Sequence, residues 1–371
     1  MNEVRRMVFL LGAGFSFDAG LPLANTLTKK FRDLFADKSL FSFYKKTIDR
    51  CAVDALEEII IDGKMNYEEI LGWLYLSQYR FENRDLLDAY GELRTRLTDM
   101  IYHILLQEQN RSHIARDSWV TKYKGIADLA ALHKPLRVFS LNHDLVIEEI
   151  CEHFALPLES GFGGDRKKTI FSKDTVPVPF STLTLEEMKS GKLNLFQEGS
   201  HGLNLYKVHG GLDFFIMKDQ TEFARIKTGS VKGDLTCLNL LGSSEKNGVN
   251  VFGSSVVTDG SGEVQFLRRL HVAGVYKFDR AKPQNLPEEW LSRFRADINY
   301  AVDLVCIGYS FGDLHINAGI RNWIEHDTKR KLWIVDPRIS EIPNGFRQYH
   351  KQVFPLPIKT SEFLNSPAAY M

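Results

Sequence analysis

Cysteine is scarce in this chain. There are four in 371 residues, and none of Cys51, Cys151, Cys237 and Cys306 belongs to a C-x-x-C pair. A structural zinc ribbon needs closely spaced thiolates, so no metal is expected, and so few cysteines in so long a chain do not make a disulfide framework. The reading is a reduced, cytoplasmic protein. An excess of charge is also missing: Lys plus Arg and Asp plus Glu each number 47, and the formal net charge is zero. With no global field, direct nucleic-acid binding and association with an anionic membrane are not expected. Long apolar runs are lacking too; none reaches the roughly 18 residues of a membrane-spanning helix. Arg5-Arg6 before Met7–Leu11 imitates the head of an export signal, but Gly12 and Gly14 break the run and Asp18 follows where apolarity should continue. No repeat or low-complexity tract is found.

What is present is ordinary globular material, 44% hydrophobic and 25% charged, enough for a sizeable core. Met7–Leu11 is apolar without alternation and stops at glycine, as a strand buried on both faces does. From Leu27 the periodicity is helical for about a hundred residues. Asn66 caps an expected helix to Tyr79, with acids in its first turn. Across Arg84–Gln109, Leu86, Tyr90, Leu93, Leu97, Met100 and Ile104 form one apolar stripe. Packing within a helical layer is the favoured reading of the stripe, and a subunit interface the sharper one.

Further buried strands are expected at Leu136–Leu141, Leu203–Val208, Leu304–Ile307 and Lys331–Val335. The expectation is a single domain over 1–371, of α/β class: a Rossmann-like parallel sheet with helices on both faces and no zinc module. Residues 26–134 are read as a helical insertion, 160–202 as a long irregular connection, and 212–275 as a strand and loop region with Gly/Ser/Asn clusters such as "GSSEKNGVN".

Each of the five apolar runs ends in a polar or glycine-rich cluster: GAGFS, NHD, HGG, GYSFGD and DP. In a parallel sheet the carboxyl ends of the strands share one edge, and ligands bind there. Five such clusters converge on one crevice. Taken singly, each has a plain structural reading. Gly12 and Gly14 suit a tight strand-to-helix turn, and the dinucleotide fingerprint fails because its third glycine is replaced by Phe17. Asn142 to Asp144 suit a helix cap, His209 a turn histidine bonded to backbone, Asp313 a cap for "LHINAGI", and Asp336 the end of a strand. His315 rides on that helix and is given no chemical role.

Together and in this order, "GAGFSFDAGLP" (Gly12–Pro22), "SLNHD" (Ser140–Asp144), "KVHGG" (Lys207–Gly211), "CIGYSFGD" (Cys306–Asp313) and "WIVDP" (Trp333–Pro337) resemble the sirtuin, or SIR2-like, family. The resemblance implies a Rossmann-type site for NAD, taken as substrate. It implies that Ala13, Gly14, Phe15 and Ser16 lie against phosphates and ribose. Asn142 holds the nicotinamide-ribose side and an attacking water, Asp144 faces the carboxamide, and His209 is the base. Gly308 and Ser310 border the phosphates and adenosine ribose, and Asp336 that ribose's hydroxyls. Two departures point away from protein deacetylation: Leu23-Ala24-Asn25 stands where deacylases carry Asp-Phe-Arg, and the four-cysteine zinc module is missing. The helical insertion is more similar to the SIR2-like NAD-degrading domains of bacterial antiviral systems, some of them paired with a HerA-type ATPase. The expected activity is therefore an NAD glycohydrolase, working as a homo-oligomer with a separate ATPase or sensor protein as partner.

Such chemistry asks little of a protein. Nicotinamide leaves an anomeric carbon as a neutral base, through an oxocarbenium-like state, without being protonated. An amide such as Asn142 can hold water without acting as a nucleophile. A histidine with an unperturbed pKa of about 6.5 can accept a proton at neutral pH. Whether His209 acts on the water or on a ribose hydroxyl is left open by the residues. Three other readings were weighed: a deacylase or ADP-ribosyltransferase using the same Asn and His, a non-catalytic nucleotide-binding scaffold, and a dehydrogenase, which the missing third glycine weakens.

Overall fold

A computed structural model describes residues 6–80, 83–171, 177–217, 221–226, 235, 254–259, 264–271 and 288–370. Its strands, in chain order, are β1 (Met7–Leu11), β2 (Leu136–Ser140), β3 (Leu158–Glu159), β4 (Gly163–Phe171), β5 (Pro177–Thr184), β6 (Leu203–Lys207), β7 (Gly210–Met217), β8 (Glu222–Ile226), β9 (Ser254–Asp259), β10 (Val264–His271), β11 (Asp303–Ile307), β12 (Lys331–Val335) and β13 (Val353–Leu356).

Seven of them form one sheet in the order β13-β12-β11-β1-β2-β6-β3, with every neighbouring pair parallel. Its strands are continuous apolar runs because both faces are covered. Phe9, Leu11, Val138, Leu205, Val305 and Val335 face one helical layer that includes Tyr123, Ile126 and Ile150. Val8, Leu10, Phe139, Tyr206, Cys306 and Ile334 face the other, with Trp290, Phe294, Ile316 and Ile320. This is the expected Rossmann-like sheet with helices on both faces. The chain leaves β1 towards β2 on one side and later returns as β11 on the other. That reversal makes a switch point between β1 and β11, beyond whose carboxyl ends sheets of this kind place their ligand crevice.

Between β1 and β2 the described residues form a series of helices, the first beginning at Ala24 and the last ending at Leu132, and the longest is Arg84–Ile114, of 31 residues. The apolar stripe of that helix is core. Tyr90, Leu93, Leu97 and Ile104 are buried, and Leu86 and Met100 pack on the same cluster. Asn66 caps the helix Tyr67–Gln78 in a reciprocal arrangement with Glu69.

The stretches expected as irregular are more ordered than the sequence suggested. Residues 160–202 contain β4, β5 and the helix Leu185–Ser190, and 212–275 contains most of β7 and all of β8, β9 and β10. These six strands close into a barrel in the order β10-β7-β8-β5-β4-β9, antiparallel throughout. Its Phe180, Phe215, Met217 and Ile226 join the core of the helical insertion, whereas Phe214, Ile216 and Phe223 join that of the sheet. The barrel is thus wedged between the two. "GSSEKNGVN" lies outside the described residues. β6 ends at Lys207 and β7 begins at Gly210, so Val208 and His209 alone connect the sheet to the barrel at that point.

Among the described residues no helix is long and apolar enough to cross a membrane, and no group of three His, Cys, Asp or Glu could hold a metal ion. Cys51, Cys151 and Cys306 are free thiols; Cys237 lies outside the described residues.

Candidate functional site

The five polar tips meet, and specific contacts join them. At the end of β1, Gly12 donates its amide to Ile307 O (2.9 Å) and Gly14 donates to Gly308 O (2.9 Å). Gly308, at φ +62°, donates in turn to Val335 O (2.9 Å), which links the tips of β1, β11 and β12. The glycines are required by proximity. A Cβ on Gly308 would lie 2.3 Å from Phe15 N, and one on Gly14 would lie 2.7 Å from Gly308 Cα. Here the Gly-Ala-Gly turn serves the close approach of two strand ends.

Asn142 joins the β2 tip to the β1 tip. Its Nδ2 donates to Gly12 O (2.9 Å) and to Ser16 Oγ (3.1 Å), and it is buried, as Ser16 is. Ser16 also stands near enough to the Asp144 carboxylate to favour its charged form, so Asn142, Ser16 and Asp144 lie side by side. Burial pushes the Asp144 carboxyl above the ordinary carboxylate range, against the opposing pull of Lys207 and of the Ser16 hydroxyl. Asp144 Oδ1 also accepts from Val146 N (3.1 Å), but the helix begins at Val146, one residue later than expected, and its cap position is Leu145, which makes no side-chain cap bond.

His209, at the tip of β6, is buried. Its Nε2 stands 3.1 Å from Asp313 Oδ2, and its ring centroid lies 6.4 Å from that of His143. Asp313 follows β11, so this contact reaches over the tips of β1 and β2 and ties the far side of the crevice to the near side. The expected convergence of Gly14, Ser16, Asn142, His209 and the β11 tip is therefore a chain of direct contacts.

The remaining candidates take varied places. Ala13 is exposed and Gly14 half-buried at the turn. Phe15 points the other way: its ring packs on Tyr123 at 5.1 Å in the core, and its carbonyl accepts from the Tyr123 hydroxyl (2.6 Å). Only the backbone of Phe15 belongs to the turn. Ser310 is exposed beyond β11. Asp336 ends β12 and caps its own turn by accepting from Arg338 N (2.8 Å).

Several supporting residues went unread in the sequence. Lys207 is fully enclosed; its Nζ donates to Asp144 O (2.7 Å) and lies 2.7 Å from Glu148 Oε1 and 3.6 Å from Asp213 Oδ1. Burial opposes its charge, yet Asp213 and Glu148 hold the ammonium above the usual lysine range. Arg225 of β8 completes the cluster at 2.7 Å from Asp213 Oδ2 and 3.2 Å from Glu148 Oε1, and it donates to Ser160 Oγ. Two cations and two carboxylates thus join sheet, barrel and the Asn142 loop. The visible signal was a lysine inside an apolar strand, which needs a buried partner. The long helix Arg84–Ile114 adds two ties: Gln109 Oε1 accepts from Leu145 N (2.8 Å), and the Tyr102 hydroxyl donates to Leu212 O (2.8 Å). It braces the loops on either side of the crevice.

No family model matches the chain, and no curated protein matches it significantly. Among solved structures it is similar to a mutant Sir2 homologue in complex with 2′-O-acetyl ADP ribose, at 13% identity and TM-score 0.44, covering 98% of this chain and 90% of that one. A Sir2 homologue–NAD complex is similar at 12% identity and TM-score 0.43, covering 97% and 86%. Sir2 bound to an acetylated peptide is similar at 12% identity and TM-score 0.40, covering 99% and 94%.

Proposed function

We propose that the chain is an NAD hydrolase that cleaves the nicotinamide–ribose bond to give nicotinamide and ADP-ribose. The observation that carries the reading is the meeting of Asn142, Ser16, His209 and the Gly14–Gly308 turn pair at one sheet edge. The glycine turns leave backbone close to where a pyrophosphate lies at such an edge. Asn142 stands at the centre of the crevice as an amide that orients water and ribose. The water oxygen bonds to the anomeric carbon, the carbon–nitrogen bond breaks, and its electron pair leaves with neutral nicotinamide. The water's proton goes to His209, directly or through a ribose hydroxyl. A base so placed contributes roughly a hundred- to ten-thousand-fold. Ala13, Gly14, Ser16, Gly308, Ser310 and Asp336 line the proposed dinucleotide path, with Asp144 on the carboxamide side.

In this reading the enzyme is an effector of bacterial anti-phage defence that depletes NAD. It assembles with copies of itself and answers to a separate ATPase or sensor protein. The sequence motifs and the helical insertion support that role. The test is to incubate the purified protein with NAD, alone and with candidate partners, and to follow free nicotinamide. Release without any acyl or ADP-ribose acceptor is expected, and His209→Ala abolishes it. Release only when an acyl-lysine peptide or acceptor protein is added replaces hydrolysis with transfer, and binding without turnover leaves a scaffold.

A further inference from the structure

We propose that Asp313 is the positioning residue of His209: its carboxylate fixes the orientation and tautomer of the imidazole and balances the charge that the ring gains when it takes a proton. The role in the reaction rests on the hydrolase reading above; the effect on the ring does not.

The geometry is specific. His209 Nε2 lies 3.1 Å from Asp313 Oδ2, and both side chains are 6% exposed. The other carboxylate oxygen, Oδ1, accepts from His315 N (2.9 Å) and Ile316 N (3.2 Å) at the start of the helix Leu314–His326. The backbone is held as well: the Tyr309 hydroxyl lies 3.2 Å from Asp313 O and donates to Asn317 Oδ1 (2.9 Å), while Asn317 Nδ2 donates to Phe311 O (2.7 Å). The carboxylate is therefore held beside the ring before any substrate arrives. A helix cap needs only one oxygen, and Asn or Ser caps as well as Asp. An acid whose second oxygen is buried on a histidine is doing something a cap does not require.

The consequence is a division of labour between the ring nitrogens. Nε2 and Oδ2 stand at ion-pair distance without the alignment of a hydrogen bond; once the ring turns its Nε2–H onto Asp313, Nδ1 is the atom that takes the proton from water or ribose hydroxyl. The imidazolium then faces a carboxylate that keeps its own charge, as in other buried carboxylate–histidine pairs. No electrons move beyond those of the bond made to water and the bond broken to nicotinamide. The other titratable groups nearby are His143, on the loop after β2, and Lys207 and Asp213 on the strands flanking His209.

The test uses Asp313→Asn, which keeps the cap and removes the charge, and Asp313→Ser as a second cap-preserving variant. Histidine labelled with 15N is titrated by NMR in the protein without NAD, with His209 assigned by its loss in His209→Gln. In wild type, His209 is expected as the Nε2–H tautomer. In both variants its pKa falls by about one pH unit or more and tautomer exchange sets in. An unchanged titration and tautomer in folded variants overturns the proposal. In the activity assay, kcat falls about tenfold to a hundredfold at neutral pH, KM stays within twofold, and the acidic limb of the pH profile moves to lower pH. Unchanged kcat alongside a shifted titration overturns the catalytic part of the role. If wild type releases no nicotinamide, the hydrolase reading fails while the NMR result still decides the pairing.

Discussion

The side-chain amide of Asn142 donates to the carbonyl of Gly12 at 2.9 Å, although 130 residues of chain separate them. The bond holds the β2 tip on the glycine turn, and the same nitrogen reaches Ser16. Replacing Asn142 by Ala removes both bonds and leaves a buried carbonyl with one partner fewer. Stability should drop by about 1–3 kcal/mol, read from urea unfolding. Nicotinamide release should fall by roughly a hundredfold or more, the scale of losing one pre-placed polar group at a reacting centre. A variant that retains wild-type turnover would remove Asn142 from the proposed mechanism.

Gly308 gives a sharper structural test. Alanine there meets Phe15 N and Gly14 C within 2.4 Å at φ +62°, and both neighbours are backbone that cannot swing aside. The β1 and β11 tips must separate. Gly308→Ala is expected to lose about 3 kcal/mol or more, beyond the usual penalty for a left-handed alanine, and to weaken NAD binding measured by calorimetry. Gly20→Ala serves as control: it too has a positive φ, but nothing lies within 4 Å of its added carbon. Equal losses in the two variants would show that strain, not strand contact, dominates at Gly308.

Lys207 is enclosed with Glu148, Asp213 and Arg225. Lys207→Met keeps much of the stem and removes the charge. One buried carboxylate loses its nearest cation, and stability should fall by about 3–5 kcal/mol. The bond to Asp144 O goes too, so activity should suffer at temperatures where the variant remains folded. Circular dichroism melts beside the nicotinamide assay separate the two effects.

Glu149 predicts a pH dependence. Burial pushes its carboxyl up to about 8, against the opposing effects of Gln109 and Arg116. The folded state therefore holds a proton that the unfolded chain has released above its ordinary pKa of 4.5. This group's contribution is full below pH 4.5 and is lost as pH rises towards 8. Glu149→Gln should flatten that part of the profile. The stability difference between pH 5 and pH 8.5, from urea unfolding, should shrink by on the order of a few kcal/mol relative to wild type. A profile unchanged by the substitution rules the assignment out.

Five of the seven sheet strands were legible because strands buried on both faces are unbroken apolar runs, and each stopped at a glycine or polar cluster that marked its tip; the short edge strands β3 and β13 were not read. Met7–Leu11 and Lys331–Val335 match their strands residue for residue. The barrel was not legible. β4 reads "GGDRKKTIF", with charges in place of apolar alternation, and its partners β5 and β9 are fixed by pairing across the chain rather than by local pattern. The site divides in the same way. Asn142 and His209 stood out by their position after strands, whereas Asp313 showed only its cap, because the contact with His209 depends on how far the β11 loop leans over the sheet.

The passage from sheet to barrel couples His209 to a distant part of the molecule. Val208 and His209 are the whole hinge between β6 and β7. Torque applied to the barrel, by any protein gripping its outer wall, would reach the imidazole through these two residues and through the contacts of Lys207 with Asp213 and of Arg225 with Glu148 that also join barrel and sheet. In the proposed enzyme, turning the imidazole off Asp313 would idle the site, and turning it back would restart it. Control of this kind needs no messenger inside the crevice.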